Sequence, residues 1–246
     1  MNIVPAAAAA ALLALGLNSA RADGPSDYVY MPGVEYGERE LDFKFGSSGK
    51  SRQNRHSAAS LGLGVGISEH WFTEINLKYE RLGADATQYD AFEWENKFQF
   101  AEPGRFPVDV GLIIEIERSQ DHAEGYEVRF GPLLQTEFGK LQLNGNLLFE
   151  RHFRADQDGH MEMAYQWQLK YRWLREFEFG LQGFGELGKW NDPLPSDEQS
   201  HRMGPAVFGK LYVGNGQALS WNLAYLAGIT RAAPDRNLRM QVEYEF

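Results

Sequence analysis

The sequence predicts an all-β protein: a transmembrane antiparallel up-and-down β-barrel of about twelve strands, following a cleaved signal peptide. Three observations carry that prediction. The last eight residues, Arg239, Met240, Gln241, Val242, Glu243, Tyr244, Glu245 and Phe246, alternate polar and apolar, which gives a strand one charged and one apolar face. The first 22 residues have the layout of an export signal. Between these ends lie about twelve alternating segments of membrane-spanning length, separated by connections that are short and long in turn.

At the N-terminus, residues 5–17 are an Ala/Leu-rich apolar run, and Ala20-Arg21-Ala22 supplies a small-x-small cleavage pattern. Residues 1–22 are therefore expected to be a signal peptide, although its n-region holds only the terminal amine as a positive charge. A transmembrane helix needs roughly 20 apolar residues, and Asn18, Ser19 and Arg21 interrupt this run well before that. Residues 23–33 are expected to form a short periplasmic segment and residues 34–246 the barrel.

Residues 60–67 place Gly62, Gly64 and Gly66 on one face and Leu61, Leu63, Val65 and Ile67 on the other. A glycine stripe leaves room for a solute or an inward loop, or indents the wall to seat long side chains; the indentation is the favoured expectation. Residues 71–80 alternate likewise. In residues 108–116, Val108, Val110, Leu112, Ile114 and Ile116 share one face and oppose Asp109 and Glu115. Residues 161–173 set Met161, Met163, Tyr165, Trp167, Leu169, Tyr171 and Trp173 against Glu162, Ala164, Gln166, Gln168, Lys170 and Arg172, and residues 219–230 follow suit. Tight connections fall at 68–70, 102–106, 139–140, 175–176 and 214–216, and long ones at 46–56, 82–88, 119–125, 155–160, 191–200 and 232–236. An even strand count puts both chain ends on the side of the tight turns.

A final strand with alternate apolar residues and a C-terminal aromatic resembles the terminal strand of bacterial outer-membrane β-barrels. Over essentially the whole mature chain the architecture resembles small porin-like channels of Gram-negative bacteria, without a diagnostic family motif. The resemblance implies an outer-membrane location, lipid and lipopolysaccharide as neighbours, and reading of Val242, Tyr244 and Phe246 by the barrel-assembly machinery.

Composition agrees. Aromatic residues make up 13%, there are 26 glycines, and the mean hydropathy of -0.46 excludes a bundle of membrane helices. No cysteine is present, which excludes disulfide staples and thiol chemistry. The formal charge is -10; removal of residues 1–22 takes away Arg21 and leaves 23 bases against 34 acids, or -11. Sequence-independent nucleic-acid binding is excluded by that sign. A soluble barrel would also alternate, but with its apolar face inward. Here aromatics such as Trp71, Tyr79, Phe100, Trp173 and Tyr244 stand near strand ends on the apolar face, as interfacial girdles do, and the other face is rich in ionised groups.

With that face inward, Glu115, Glu127, His152 and Glu162 fall in one belt toward the outer mouth, with Glu117, Arg129 and Glu150 beside them. The belt is expected to be a salt-bridged network that stiffens the wall; a constriction selecting cations is the sharper alternative, and a metal site on His152 and its carboxylates a third. Counting back from each turn sets Lys78 near Glu93, Glu74 near Lys97, and Lys170 or Arg172 near Glu178.

His56, His122, His152, His160 and His201 fall at the outer end, and His70 in a tight turn. Asp156, Asp158 and His160 are weak metal candidates, so no metal site is assigned. The first outer loop is basic, with Lys50, Arg52, Arg55 and His56, and suits lipopolysaccharide phosphates. His56-Ser57 and Ser200-His201 are the adjacent Ser/His pairs that a lipid hydrolase would need, but neighbours on a strand point to opposite faces. No catalytic residue or cofactor is implied. The sequence thus points to passive diffusion of small cationic or neutral solutes through a narrow acidic lumen. A sealed barrel binding a ligand or metal, or serving a structural role, and an outer-membrane lipid hydrolase are the alternatives; oligomeric state and openness of the lumen stay open.

Overall fold

The computed structural model describes residues 24–50, 55–156, 159–214 and 216–246, so the expected signal peptide lies outside the described residues. Twelve long strands run up and down: β1 (Arg39–Gly49), β2 (Arg55–Ser68), β3 (Trp71–Leu82), β4 (Gln88–Gln99), β5 (Asp109–Ser119), β6 (Tyr126–Phe138), β7 (Leu141–Phe153), β8 (Glu162–Leu174), β9 (Phe177–Lys189), β11 (Ser200–Gly214), β12 (Gln217–Gly228) and β13 (Arg236–Glu245). The two-residue strand β10 (Asp192–Pro193) only extends the outer end of β9. Each long strand pairs antiparallel with its sequence neighbours, and β13 returns to β1 with Glu40 opposite Glu245 and Gly49 opposite Arg236. The sheet is therefore closed, and no strand edge is left for lipid to meet.

Alternation decides the two faces. Leu61, Leu63, Ile75, Trp94, Leu143, Phe179, Leu223 and Tyr225 stand exposed on the outside, while Asn76, Asn144, Gln166, Gln168, Glu74 and Glu95 are buried on the inside. That apolar exterior around a polar interior is the arrangement lipid imposes. The fold is an outer-membrane type β-barrel, and its strand count and alternating connections follow the sequence. At the lower end Phe246 continues the last strand, its N–H donating 2.9 Å to the Arg39 carbonyl, and its ring stacks on Tyr244 at 5.8 Å.

One segment departs from expectation. Residues 24–33 do not hang in the periplasm as a leader; they run inside the barrel, from Pro25 near the outer third to Val34 at the lower rim. Asn237 Nδ2 donates to the Pro25 carbonyl at 3.1 Å, and Gln99 Oε1 accepts from the Val34 N–H at 2.7 Å. The segment supplies the barrel's apolar core. Val29 packs on Phe184, Ala206, Phe208, Ala224 and Leu226, and Tyr30 on Ile113, Leu133 and Leu148, all inward-facing. Burying these apolar side chains against one another is worth about 1.5–3 kcal/mol for each large residue, enough to hold an extended strand without sheet partners. Two glycines make the approach possible. A Cβ on Gly46 would lie 1.8 Å from the Pro25 carbonyl oxygen, and one on Gly66 would lie 1.9 Å from that of Glu35.

Candidate functional site

The lumen is the candidate site, and its wall is built by inward side chains that neutralise one another across strands. On β1 to β3, Lys44 lies 3.0 Å from both Asp42 and Glu74. It crosses β2 over Gly62, where a Cβ would meet Glu74 Oε1 at 2.5 Å. The glycine stripe is thus an indentation filled by long side chains and, at Gly66, by the N-terminal segment. Lys78 is 3.1 Å from Glu93 and also pairs with Glu117; Lys170 is 3.1 Å from Glu178, as the turn counts predict. The pair expected between Glu74 and Lys97 does not form. The register sets Glu74 opposite Glu95, two residues away from the sequence estimate, and Lys97 instead sits 4.6 Å above the Phe72 ring. Facing carboxylates repel, and Lys44 relieves the repulsion from two strands away.

The outer belt closes on one arginine. Arg129 on β6 lies 2.8 Å from Glu150, 3.4 Å from Glu127, 3.7 Å from Glu115 and 3.9 Å from Asp27 of the N-terminal segment. Glu115 takes a second bond of 2.6 Å from the Tyr30 hydroxyl, and Glu95 one of 2.7 Å from the Tyr28 hydroxyl. His152 Nε2 lies 3.6 Å from Glu127, with Nδ1 3.2 Å from the Glu124 carbonyl. Glu162 faces Glu150 across the β7–β8 ladder. All seven belt residues picked out by the sequence face inward and six of them touch a charged or polar partner in this cluster or beside it. What the sequence did not disclose is Asp27, Tyr28 and Tyr30, which enter from a segment with no strand periodicity; Tyr28 and Tyr30 spaced by one residue were its only signal.

Below the belt a cavity of about 680 Å³ opens toward the periplasmic side. Its lining includes seven acids (Glu38, Glu40, Asp42, Glu74, Glu95, Glu178 and Glu243) and five bases (Lys97, Lys170, Arg172, Arg175 and Lys210). Glu38 and Glu243 offer oxygens within 4.8 Å of each other and of Glu245, while no lysine or arginine of the described residues reaches ion-pair distance of Glu38, Glu40 or Glu243.

The outer histidines do not converge. His56 is turned inward, 3.3 Å from Glu80; His122 bonds Arg118 at 2.6 Å; His201 stacks on Tyr165 and meets its hydroxyl at 2.9 Å on the lipid side. Asp158 lies outside the described residues, and neither Asp156 nor His160 belongs to a described group of ligand atoms close enough to share one ion. In neither adjacent Ser/His pair do the two side chains meet: Ser57 Oγ bonds Ser47 Oγ at 2.9 Å on the outside, opposite to His56, and Ser200 Oγ is buried without a partner while His201 faces outward.

No protein-family model matches the chain, and no curated protein matches it. Among solved structures the chain is similar to the COG4313 outer membrane channel from Pseudomonas putida F1, with a TM-score of 0.61 and 10% identity over 89% of this chain and 98% of that one. It is also similar to the NanC porin, with a TM-score of 0.53 and 13% identity over 84% of this chain and 98% of that one. The KdgM porin gives 0.52 and 8% over the same 84% and 98%. At such identities the likeness is one of fold, and the fold is that of outer-membrane channels.

Proposed function

We propose that the protein is a narrow outer-membrane channel for passive diffusion of small cationic or neutral solutes, with its bore set by residues 24–33. The observation that carries this reading is the polar, charged lumen with its roughly 680 Å³ vestibule, in which Glu38, Glu40 and Glu243 lack a cationic partner. An acidic surplus along a polar lumen raises the local cation concentration and repels anions. An acidic oligosaccharide of the kind present with the KdgM porin would meet repulsion here. In the Glu115 belt Arg129 offsets only part of the carboxylate charge, and the Tyr30 hydroxyl donates to Glu115 at 2.6 Å, so the belt adds to the acidic surplus of the lumen.

The test is the reversal potential of the refolded mature protein in a planar bilayer under a salt gradient. Stable openings with cation preference, reduced in a Glu38→Gln, Glu40→Gln, Glu243→Gln variant, support the channel. Unaltered selectivity in that variant removes the vestibule from the mechanism. The second reading, a sealed barrel, draws on the same N-terminal segment, which runs through the lumen from its outer third to the lower rim; a folded barrel that never conducts would favour it. Val242, Tyr244 and Phe246, on the outward face of the last strand, remain the proposed assembly signal, tested by barrel insertion of a Phe246 deletion.

A further inference from the structure

We infer that the outer rim of the lipid-facing wall holds a built site for one phosphorylated, multi-acylated glycolipid of the outer leaflet, the lipid A part of lipopolysaccharide. The site is a groove of about 580 Å³ across five consecutive strands, β12, β13, β1, β2 and β3. Arg236 and Arg55 stand opposite Gly49 from its two sides, so their Cα atoms are roughly 10 Å apart, two strand spacings. Arg81 is opposite Ser57, diagonal to Arg55 on the same outward face. Lys50 crosses above, its Nζ anchored to the Arg231 carbonyl at 2.9 Å.

Three features separate this cluster from ordinary rim charge. The guanidiniums of Arg55, Arg81 and Arg236 meet no carboxylate, carbonyl or ring of the described residues, whereas Arg118 and Arg151, outward arginines at the same height, lie over Tyr126 and Phe153. Three like charges are thereby held together with no partner for their N–H donors among the described residues, and guanidinium forks match phosphate oxygens in pairs. Beneath the cations, Gly49, Ser47 and Ser57 leave a depression in a wall otherwise covered by large side chains, with the two serine hydroxyls 2.9 Å apart at its floor. Lower still the groove is lined by Phe45, Tyr225 and Leu238, the last two 50% and 44% exposed, where acyl chains would lie. Anion above and hydrocarbon below, at the outer-leaflet edge of the barrel, fits an amphiphile with phosphates on its headgroup rather than a free anion. The basic first loop suggested such contacts, but the structure changes the membership: His56 turns into the lumen, Arg52 lies outside the described residues, Arg81 joins from the next strand and Arg236 from the last.

Native mass spectrometry of the intact barrel with hexa-acylated bisphosphoryl lipid A tests the site, with folding verified by heat-modifiable migration. One lipid should stay bound per barrel, and combined Arg55→Gln, Arg81→Gln and Arg236→Gln should weaken it at least about tenfold, the order expected for losing charge-assisted bonds to phosphate. Ser57→Trp, which fills the depression and keeps the charges, should weaken it as well, and Arg151→Gln should not. Binding of monophosphoryl lipid A should be intermediate. Equal binding by the triple variant, equal loss in Arg151→Gln, equal retention of phosphatidylglycerol, or displacement by millimolar inorganic phosphate would each overturn the assignment. None of these readouts depends on conductance.

Discussion

Arg129 is the residue on which the lumen's outer half turns. One guanidinium, about nine-tenths buried, is shared by Glu115, Glu127, Glu150 and Asp27. Removing one partner of such a cluster leaves like charges facing one another in a poorly solvated space. Arg129→Gln should therefore lower stability by about 3 kcal/mol in guanidinium unfolding of the detergent-solubilised barrel. The same change should strengthen cation preference, because three wall carboxylates lose their counter-charge. Tyr30→Phe is milder. It removes the 2.6 Å bond to Glu115 and keeps the packing on Ile113, Leu133 and Leu148, so a loss of about 1 kcal/mol is expected by the same measurement.

At the scale of elements, the N-terminal segment is held by side-chain hydrogen bonds and apolar contacts rather than by a backbone ladder, whereas every long strand has paired neighbours on both sides. Segments with few backbone bonds open at lower cost than the sheet they lie on. Deletion of residues 24–33 should leave a closed, heat-modifiable barrel and raise single-channel conductance several-fold. Gly46→Val reaches the same end from the wall, since any side chain there meets the Pro25 backbone; its conductance should fall between wild type and the deletion. Unchanged conductance in both would show that the segment does not set the bore.

For the whole molecule, a closed sheet with an apolar exterior is committed to lipid on every side, and charge is then sorted by position around and along the cylinder. The inner vestibule keeps an acidic surplus, the outer belt gathers its carboxylates around Arg129, and arginines without a partner among the described residues collect on the outside at one sector of the upper rim. These three regions are far enough apart to be separable by mutation. The vestibule variant should alter selectivity and leave lipid A binding as it was, and the rim triple variant should do the reverse.

Alternation determined the class of fold, the number of strands and the sidedness of turns, because a period of two is a local property that each segment carries independently; the side facing lipid was legible from the aromatics near strand ends on the apolar face and the ionised groups on the other. Residues 161–173 read the same way in isolation as in the barrel. Local pattern also placed the belt of Glu115, Glu127, Glu150 and His152, since short turns transmit register from one strand to the next. It could not place Glu74, whose register is two residues from the count and whose partner Lys44 is two strands away across a glycine. Nor could it place residues 24–33, whose lumenal path depends on side chains from β1, β4, β5, β7 and β13 that meet only once the sheet has closed, nor bring Arg236 to Arg55 and Arg81, which it reaches only because the last strand returns to the first.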